Sequence, residues 1–323
     1  MLGSNWTSAI ADELESIELT IRSVINSSVE VASDLSGRLL ASGGKRIRPS
    51  LLTLSALACG ECDRERMTYL AAATELVHMA SLVHDDVIDE TRERRGSATA
   101  GAQFGNKISV LGGDYLLSKA FHLLCVHGNP DILKSLSATA VVMVESEILQ
   151  ASGEGDLSLW ESEYWRIIRG KTADFMASCC ECGAMLADAD VNQCQAMREY
   201  GLQLGLAFQI TDDVLDIAGN SELTGKETGA DLINGKFTLP VLMALRDADG
   251  DGSLRKTLSK GHISACEAEK ITAIIIESGA LETANSAAAD CVEAAIKQLS
   301  IFPQSIYTDA LKSLAEFVIS RNG

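Results

Sequence analysis

The sequence predicts an all-α fold arranged as a single large helical bundle, and three observations carry the prediction. Only 4 prolines occur in 323 residues, at Pro49, Pro130, Pro240 and Pro303, so few points deny a helix its backbone hydrogen bond. The long stretches between them are rich in Ala, Leu, Ile and Glu, which favour helices over short strands. Two of these stretches are apolar on nearly every face, and such a helix has to be surrounded by other helices.

The elements follow in order. Residues 4–25 read as a first helix, and a further segment ends at Ser42. Gly43 and Gly44 break the chain before a basic turn, Lys45-Arg46-Ile47-Arg48-Pro49, and a helix then covers 51–58. The stretch 66–89 is long, apolar on most faces and acidic only at its end. Gly96, Gly101 and Gly105 loosen the loop after it. Segments 108–126 and 131–150 are helical, separated by the turn His127-Gly128-Asn129-Pro130. A loop at 152–156 precedes Ser158-Leu159-Trp160-Glu161, which reads as a capping box opening another helix. Residues 192–217 form the last clear long helix of the middle and again end in aspartates. A loop, 219–235, leads to Thr238-Leu239-Pro240, and about three further helices finish the chain. No linker, low-complexity tract or repeat of fixed period interrupts it, so residues 1–323 are expected to form one domain.

Composition narrows the function. A net charge of −18 argues against general nucleic-acid binding, which needs a basic patch. It still permits small polyanions, because carboxylates can recruit divalent cations while a few placed Lys and Arg bind diphosphate. No interior run stays apolar and uncharged for about 18 residues, the length of a membrane span. Residues 1–13 lack the basic-then-apolar order of a signal peptide, so a soluble cytoplasmic protein with no membrane anchor is expected. Nine cysteines without a secretory signal suggest reduced thiols. Cys59 and Cys62 make a lone Cys-x-x-Cys, and Cys179, Cys180 and Cys182 cluster. Neither group has a second ligand pair at zinc spacing, so they read as small buried residues.

The chemistry concentrates in two acidic clusters. Asp85, Asp86 and Asp89 stand in Leu82-Val83-His84-Asp85-Asp86-Val87-Ile88-Asp89, and Asp212, Asp213 and Asp216 in Thr211-Asp212-Asp213-Val214-Leu215-Asp216. Both read Asp-Asp-x-x-Asp. Helical residues four apart share a face, so each cluster projects at least two carboxylates in one direction. Each lies near the C-terminal end of its helix, where the dipole disfavours acids, and a bound cation would offset that cost. One such motif is as easily a solvated helix end; two at the ends of apolar helices are harder to dismiss. Oxygen-only clusters suit magnesium, held by one or two carboxylates plus substrate phosphates. Metals clamped on a diphosphate stabilise the charge that develops as it leaves.

With both motifs intact and in order, the chain resembles the trans-isoprenyl diphosphate synthase (polyprenyl synthetase) family from about Gly43 to Pro240. The resemblance implies an isoprenoid-synthase-type bundle around a central cavity, and a prenyltransferase joining isopentenyl diphosphate head-to-tail to an allylic diphosphate. It implies Mg2+ as cofactor, on the order of three ions per site bridging carboxylates and diphosphate. It also implies a homodimer, with a heteromer open. Lys45 and Arg48 are then expected to hold the diphosphate of isopentenyl diphosphate, with His78 as a third contact in Glu75-Leu76-Val77-His78. Of Arg94-Arg95-Gly96, the first arginine faces the allylic diphosphate and the second isopentenyl diphosphate, a role that suits planar guanidinium forks. Lys171, Thr172, Gln209, Lys226 and Lys236 complete the allylic contacts. Each of the lysines Lys171, Lys226 and Lys236 follows a glycine, which allows a close backbone approach to phosphate but is equally explained by a plain turn. Carbonyl dipoles of Lys171, Thr172 and Gln209 are expected to steady the allylic cation.

The growing chain is expected to run between helices away from the aspartates. Ala80 and Ser81 lie roughly 6–7.5 Å below Asp85 at helical rise. Short-chain members commonly place an aromatic there, so small residues imply a product longer than C20. Glu147-Ile148-Leu149-Gln150 stands where short-chain members often have Gly-Gly-Gln. Phe121 is a candidate tunnel floor, or plain core. The alternatives are a short-chain farnesyl or geranylgeranyl synthase, and a non-catalytic partner subunit of a heteromer. A class I terpene cyclase would carry a mixed second motif instead of Asp212-Asp213-Val214-Leu215-Asp216.

Overall fold

The computed structural model describes residues 5–94, 96–218, 229–247, 250 and 252–320. They are helical nearly throughout; among them the only sheet is a pair of two-residue antiparallel strands, β1 (Glu93–Arg94) and β2 (Ser97–Ala98). The chain divides into two compact units, each described by itself. The first comprises Met1–Leu136, Cys179–Met197 and Phe302–Leu311; the second comprises Ser137–Ser178, Arg198–Ile301 and Lys312–Gly323.

The first unit contains α1 (Asn5–Ser8), α2 (Ala11–Val24), α3 (Glu30–Ala41), α4 (Ile47–Cys59), α5 (Arg64–Ile88), α6 (Ala100–Phe104) and α7 (Asn106–His127). The expected first helix is thus split in two. The apolar-all-round stretch becomes α5, buried without interruption from Leu70 to Leu76 and packed on α2, α4 and α7. Helix α4 is just as enclosed, every residue from Pro49 to Ala58 being buried. It starts four residues earlier than expected and takes Pro49 into its first turn, where a missing N–H costs nothing because that group has no partner within the helix. The left-handed residue before it, Arg46 (φ 50°), reaches into the interior. Its guanidinium meets Glu75 at 2.8 Å, Glu18 at 3.1 Å and the Leu40 carbonyl at 3.2 Å. Glu75 is only 3% exposed, so this pairing is what lets an acid sit inside α5.

Helices α8 (Pro130–Ser152), α10 (Asp174–Leu186), α11 (Val191–Ala218) and α17 (Ile306–Ser320) contribute residues to both units. The second unit adds α9 (Leu157–Ile168), a π turn (Arg169–Ala173), α12 (Ala230–Ile233), α13 (Leu239–Asp247), α14 (Ser253–Leu258), α15 (Ala265–Glu277) and α16 (Ala280–Gln298). Its core gathers Trp160, Tyr164, Ile210, Phe237, Val241 and Ile275. The capping box expected at Ser158 is not formed: Asp156 caps α9, accepting from the backbone N–H groups of Ser158 and Leu159 at 3.0 and 3.2 Å. With aspartate two residues upstream as the cap, the helix opens at Leu157 and its first free donors are the N–H groups of Ser158 and Leu159. From Leu239 onward there are five α-helices and one 3-10 turn (Leu299–Ile301) among the described residues, where about three helices were expected.

All nine cysteines are free thiols. Cys179, Cys180 and Cys182 are buried as expected, whereas Cys59 and Cys62, also expected to be buried, are only half-buried. Burial pushes the Cys59 and Cys179 thiols up to about 12, which keeps them un-ionised and unreactive.

Candidate active site

The first acidic cluster closes α5. Asp85 and Asp86 occupy its last turn, and Asp89 is the C-cap, its N–H bonded to the Asp85 carbonyl at 2.8 Å. Asp89 is exposed and Asp85 half-buried, but Asp86 is only 5% exposed. The chain then turns back on itself. The Asp86 carbonyl accepts from the Thr91 N–H at 2.9 Å, and the Thr99 hydroxyl donates to the Thr91 carbonyl at 2.7 Å. This folded-back hairpin brings Arg94 to the cluster, where its Nε donates to Asp86 Oδ1 at 2.8 Å. Arg95 lies outside the described residues.

His84, one residue before the cluster, lies against α7, its Nε2 at 3.2 Å from the Val110 carbonyl and 3.4 Å from Asp114 Oδ1. A Cβ at Gly113 would overlap that imidazole, so glycine there is a packing requirement. The basic turn divides its labour. Arg46 points inward as described, while Lys45 is exposed and Arg48 half-buried at the start of α4. His78 is half-buried on α5, and its carbonyl accepts from the Ser81 hydroxyl at 2.9 Å. Ala80 is buried; Ser81 and Phe121 are half-buried.

The second cluster is built differently. In α11, Gly201 and Gly205 stand one turn apart. A Cβ at Gly205 would lie 2.5 Å from Ala173 Cα, and one at Gly201 2.6 Å from the Met176 carbonyl oxygen. Two glycines therefore let α11 close onto the π turn and the start of α10, and Gln209 follows on the next turn of the same face. Close approach has a direct result: the Thr172 hydroxyl donates to Gln209 Oε1 at 2.9 Å. Gln209 Nε2 donates onward to Asp213 Oδ1 at 3.1 Å, and the Tyr164 hydroxyl donates to Asp213 Oδ2 at 2.7 Å. Four side chains from α9, the π turn and α11 make one continuous hydrogen-bonded chain.

Asp213 is 2% exposed. Burial pushes its carboxyl up to about 8, opposed by the Tyr164 and Gln209 donors and reinforced by the neighbouring Asp231 and Asp212 charges. Burial also raises the Tyr164 phenol well above its usual range. Asp216 is tied to the segment after the motif: its carbonyl accepts from the Gly229 N–H at 2.8 Å, and its Oδ2 from the Asp231 N–H at 3.3 Å. The Lys236 N–H in turn donates to the Asp231 carbonyl at 2.8 Å, and the Lys236 side chain is largely buried. Lys226 lies outside the described residues.

The glycines beside the lysines have local explanations. Gly170 lets the π turn press on α8, since a Cβ there would overlap the Ser146 hydroxyl. Gly235 has φ 69°, its carbonyl accepts from the Gly155 N–H at 2.9 Å, and a Cβ on it would lie 2.5 Å from that nitrogen. Side chains of α8 pressed on the π turn account for Gly170, and backbone packed on backbone accounts for Gly235. The π turn, a local widening of the helix, places Lys171 in an ion pair with Glu147, with Gln150 Oε1 at 3.5 Å.

Sequence reasoning missed Tyr164, Asp231 and the pairing of Glu147 with Lys171. A readable signal existed for the contact of Thr172 with Gln209: Gly201, Gly205 and Gln209 at intervals of one helical turn. Nothing local marked Tyr164, because its partner lies two helices later. Among the described residues no three His, Cys, Asp or Glu side chains gather as a ready-made metal site. The donors present are carboxylate oxygens, the hard-ligand chemistry that suits a magnesium ion completed by phosphate oxygens and water.

Among the described residues, no helix is long and apolar enough to cross a membrane. Comparison with known proteins agrees with the chemistry. Residues 29–275 match the polyprenyl synthetase family model. The chain is 35% identical over 314 residues to an all-trans-nonaprenyl-diphosphate synthase (geranyl-diphosphate specific) of Rhodobacter capsulatus, covering 97% of this chain and 96% of that one. It is 34% identical over 317 residues to the octaprenyl diphosphate synthase of Escherichia coli (strain K12), covering 97% of each. The crystal structure of a polyprenyl synthase from Caulobacter crescentus CB15, complexed with calcium and isoprenyl diphosphate, superposes with a TM-score of 0.93 at 35% identity, over 99% of this chain and 98% of that one. The two aspartate motifs, the family match and the shared all-helical fold point the same way, and this chain belongs to the polyprenyl synthetase family.

Proposed function

We propose that this protein condenses isopentenyl diphosphate head-to-tail with an allylic diphosphate, farnesyl or geranylgeranyl diphosphate, to give an all-trans polyprenyl diphosphate longer than C20. The observation that carries the reading is the hydrogen-bonded chain from Thr172 through Gln209 to Asp213. It joins residues that the sequence assigned separately to one allylic diphosphate.

Asp85, Asp86, Asp89, Asp212, Asp213 and Asp216 would hold Mg2+, and the ion would stabilise the charge that develops on the leaving diphosphate. A calcium-bound relative with isoprenyl diphosphate supports a divalent cation in this role. Lys171, Lys226, Lys236 and Arg94 bind the allylic diphosphate; Lys45, Arg48, His78 and Arg95 bind that of isopentenyl diphosphate. The Thr172 hydroxyl gives its hydrogen to Gln209, so its lone pairs face elsewhere and can meet positive charge on the ionised allyl group. The double bond of isopentenyl diphosphate attacks that cation, and the proton then lost passes to the departed diphosphate, so no side-chain base is required. Apolar helix faces keep out water that would quench the cation.

Ala80 and Ser81 leave room for a long product, with Phe121 as the floor, and the octaprenyl and nonaprenyl names of the relatives support that length. The whole chain, 1–323, acts as one catalytic domain, the family model spanning residues of both compact units. The protein works as a cytoplasmic homodimer. A product-length assay with Mg2+, isopentenyl diphosphate and each allylic primer, read by mass spectrometry, tests the reading. Products of C25 or longer are expected; an end at C15 or C20 rejects the open tunnel, and no turnover rejects the activity of the chain alone. Ala80→Phe is expected to shorten the product, and an unchanged distribution would place the tunnel elsewhere.

A further inference from the structure

We infer that Tyr164 is a positioning residue for the allylic half of the reaction: its buried hydroxyl fixes the Asp213 carboxylate, which through Gln209 orients Thr172. The inference rests on the function proposed above. Its basis is geometric. Tyr164 is 1% exposed, seated in the second unit's core with Trp160, Ile167 and Ile168. Its hydroxyl takes one Asp213 oxygen at 2.7 Å, and Gln209 Nε2 takes the other at 3.1 Å.

A carboxylate terminal torsion is ordinarily broad and two-fold. Donors on both oxygens, one of them anchored in the core, remove that freedom. The restraint has a direction. With its amide nitrogen on Asp213, Gln209 must present its carbonyl oxygen to Thr172, which it meets at 2.9 Å. Flipping the amide would set carbonyl oxygen against carboxylate oxygen and leave the Thr172 hydroxyl facing an N–H. Tyr164 thus holds the sense of the whole chain without touching substrate. Support of this kind typically changes metal affinity or activity by about 10- to 100-fold when removed.

Tyr164→Phe keeps the ring and its packing and deletes only the donor. We expect kcat to fall about 10- to 100-fold with an allylic primer, with KM for isopentenyl diphosphate unchanged. Binding of Mn2+ in the presence of inorganic diphosphate, followed by electron paramagnetic resonance, is expected to weaken by a similar factor. A lower Tm accompanied by wild-type kcat and wild-type Mn2+–diphosphate binding would overturn the inference and leave Tyr164 a packing residue. Asp213→Asn supplies a cycle: Tyr164→Phe added to it is expected to cost little more, and losses that multiply would also overturn it. Should Tyr164→Phe fail to fold, Asp213→Asn alone decides, since wild-type kcat and Mn2+ binding there would break the chain at its centre. Wild-type turnover is measured alongside. Its absence would remove the proposed function, while the Mn2+–diphosphate comparison still reports on Tyr164.

Discussion

Asp86 and Asp213 hold the same place in two copies of one motif, and both are buried, yet they are accommodated by opposite means. Asp86 meets a cation, the Arg94 guanidinium at 2.8 Å, delivered by a hairpin a few residues downstream. Asp213 meets two neutral donors, a phenol and an amide, delivered by packing between helices far apart in sequence. A paired guanidinium stabilises the charged carboxylate outright. Neutral donors only partly offset burial, which is why the Asp213 carboxyl stays pushed up to about 8. An identical string of residues therefore does not specify an identical electrostatic environment. The first cluster is set by local chain reversal, the second by tertiary packing.

The largest effects should come from breaking the symmetry between the clusters. Asp85→Ala and Asp212→Ala are each expected to lower turnover by at least about 10³-fold, several kcal/mol of lost charge stabilisation. Helical circular dichroism should be retained. A large loss in one variant and full activity in the other would make one cluster a mere helix end.

Smaller effects sharpen the contrast. Arg94→Ala strands a buried carboxylate and is expected to cost about 1–3 kcal/mol of stability. The figure lies below that for a fully buried pair because Arg94 is 35% exposed to solvent. Arg94→Lys should recover part of the loss, and equal losses in both would show that charge alone is not what Asp86 needs. On the other side, Gly205→Val drives a side chain into the Ala173 backbone. It should cost about 1–3 kcal/mol or more by overpacking and lower kcat as Thr172 separates from Gln209. Unchanged kcat beside a reduced Tm would uncouple the helix contact from catalysis.

The smallest effect is a control outside both clusters. Ser264 and Glu267 form a capping box on α15, and the Ser264 and Lys260 contacts hold the Glu267 carboxyl down at about 2. A depressed carboxyl contributes stability that is present above about 4.5 and lost as pH falls through about 2. Ser264→Ala should therefore lower Tm slightly at neutral pH, flatten the acid end of the Tm–pH curve, and leave turnover unchanged. Altered turnover would implicate this helix end in the site.

By itself the sequence determined the helical class, because helix propensity and a period of 3.6 are carried by neighbouring residues. It also determined the two acidic motifs and the presence of a basic turn, since carboxylates and cations cannot be mistaken for anything else, whereas the inward turn of Arg46 onto Glu75 appeared only in the structure. Boundaries were less legible. Pro49 read as the end of the basic turn but entered the first turn of α4, and Ser158 read as a cap but Asp156 took its place. The first depends on a first-turn position needing no N–H partner, the second on which nearby side chain caps the free N–H groups.

What only the tertiary structure decided is who meets whom. Tyr164, Lys171 with Glu147, and Asp216 with the Asp231 N–H are each joined across separate elements. Hydrogen bonds and ion pairs act over about 3 Å, so their partners are chosen by which helices pack together. That choice rests on glycines such as Gly170 and Gly205, whose partners are known only once a neighbouring element is packed against them.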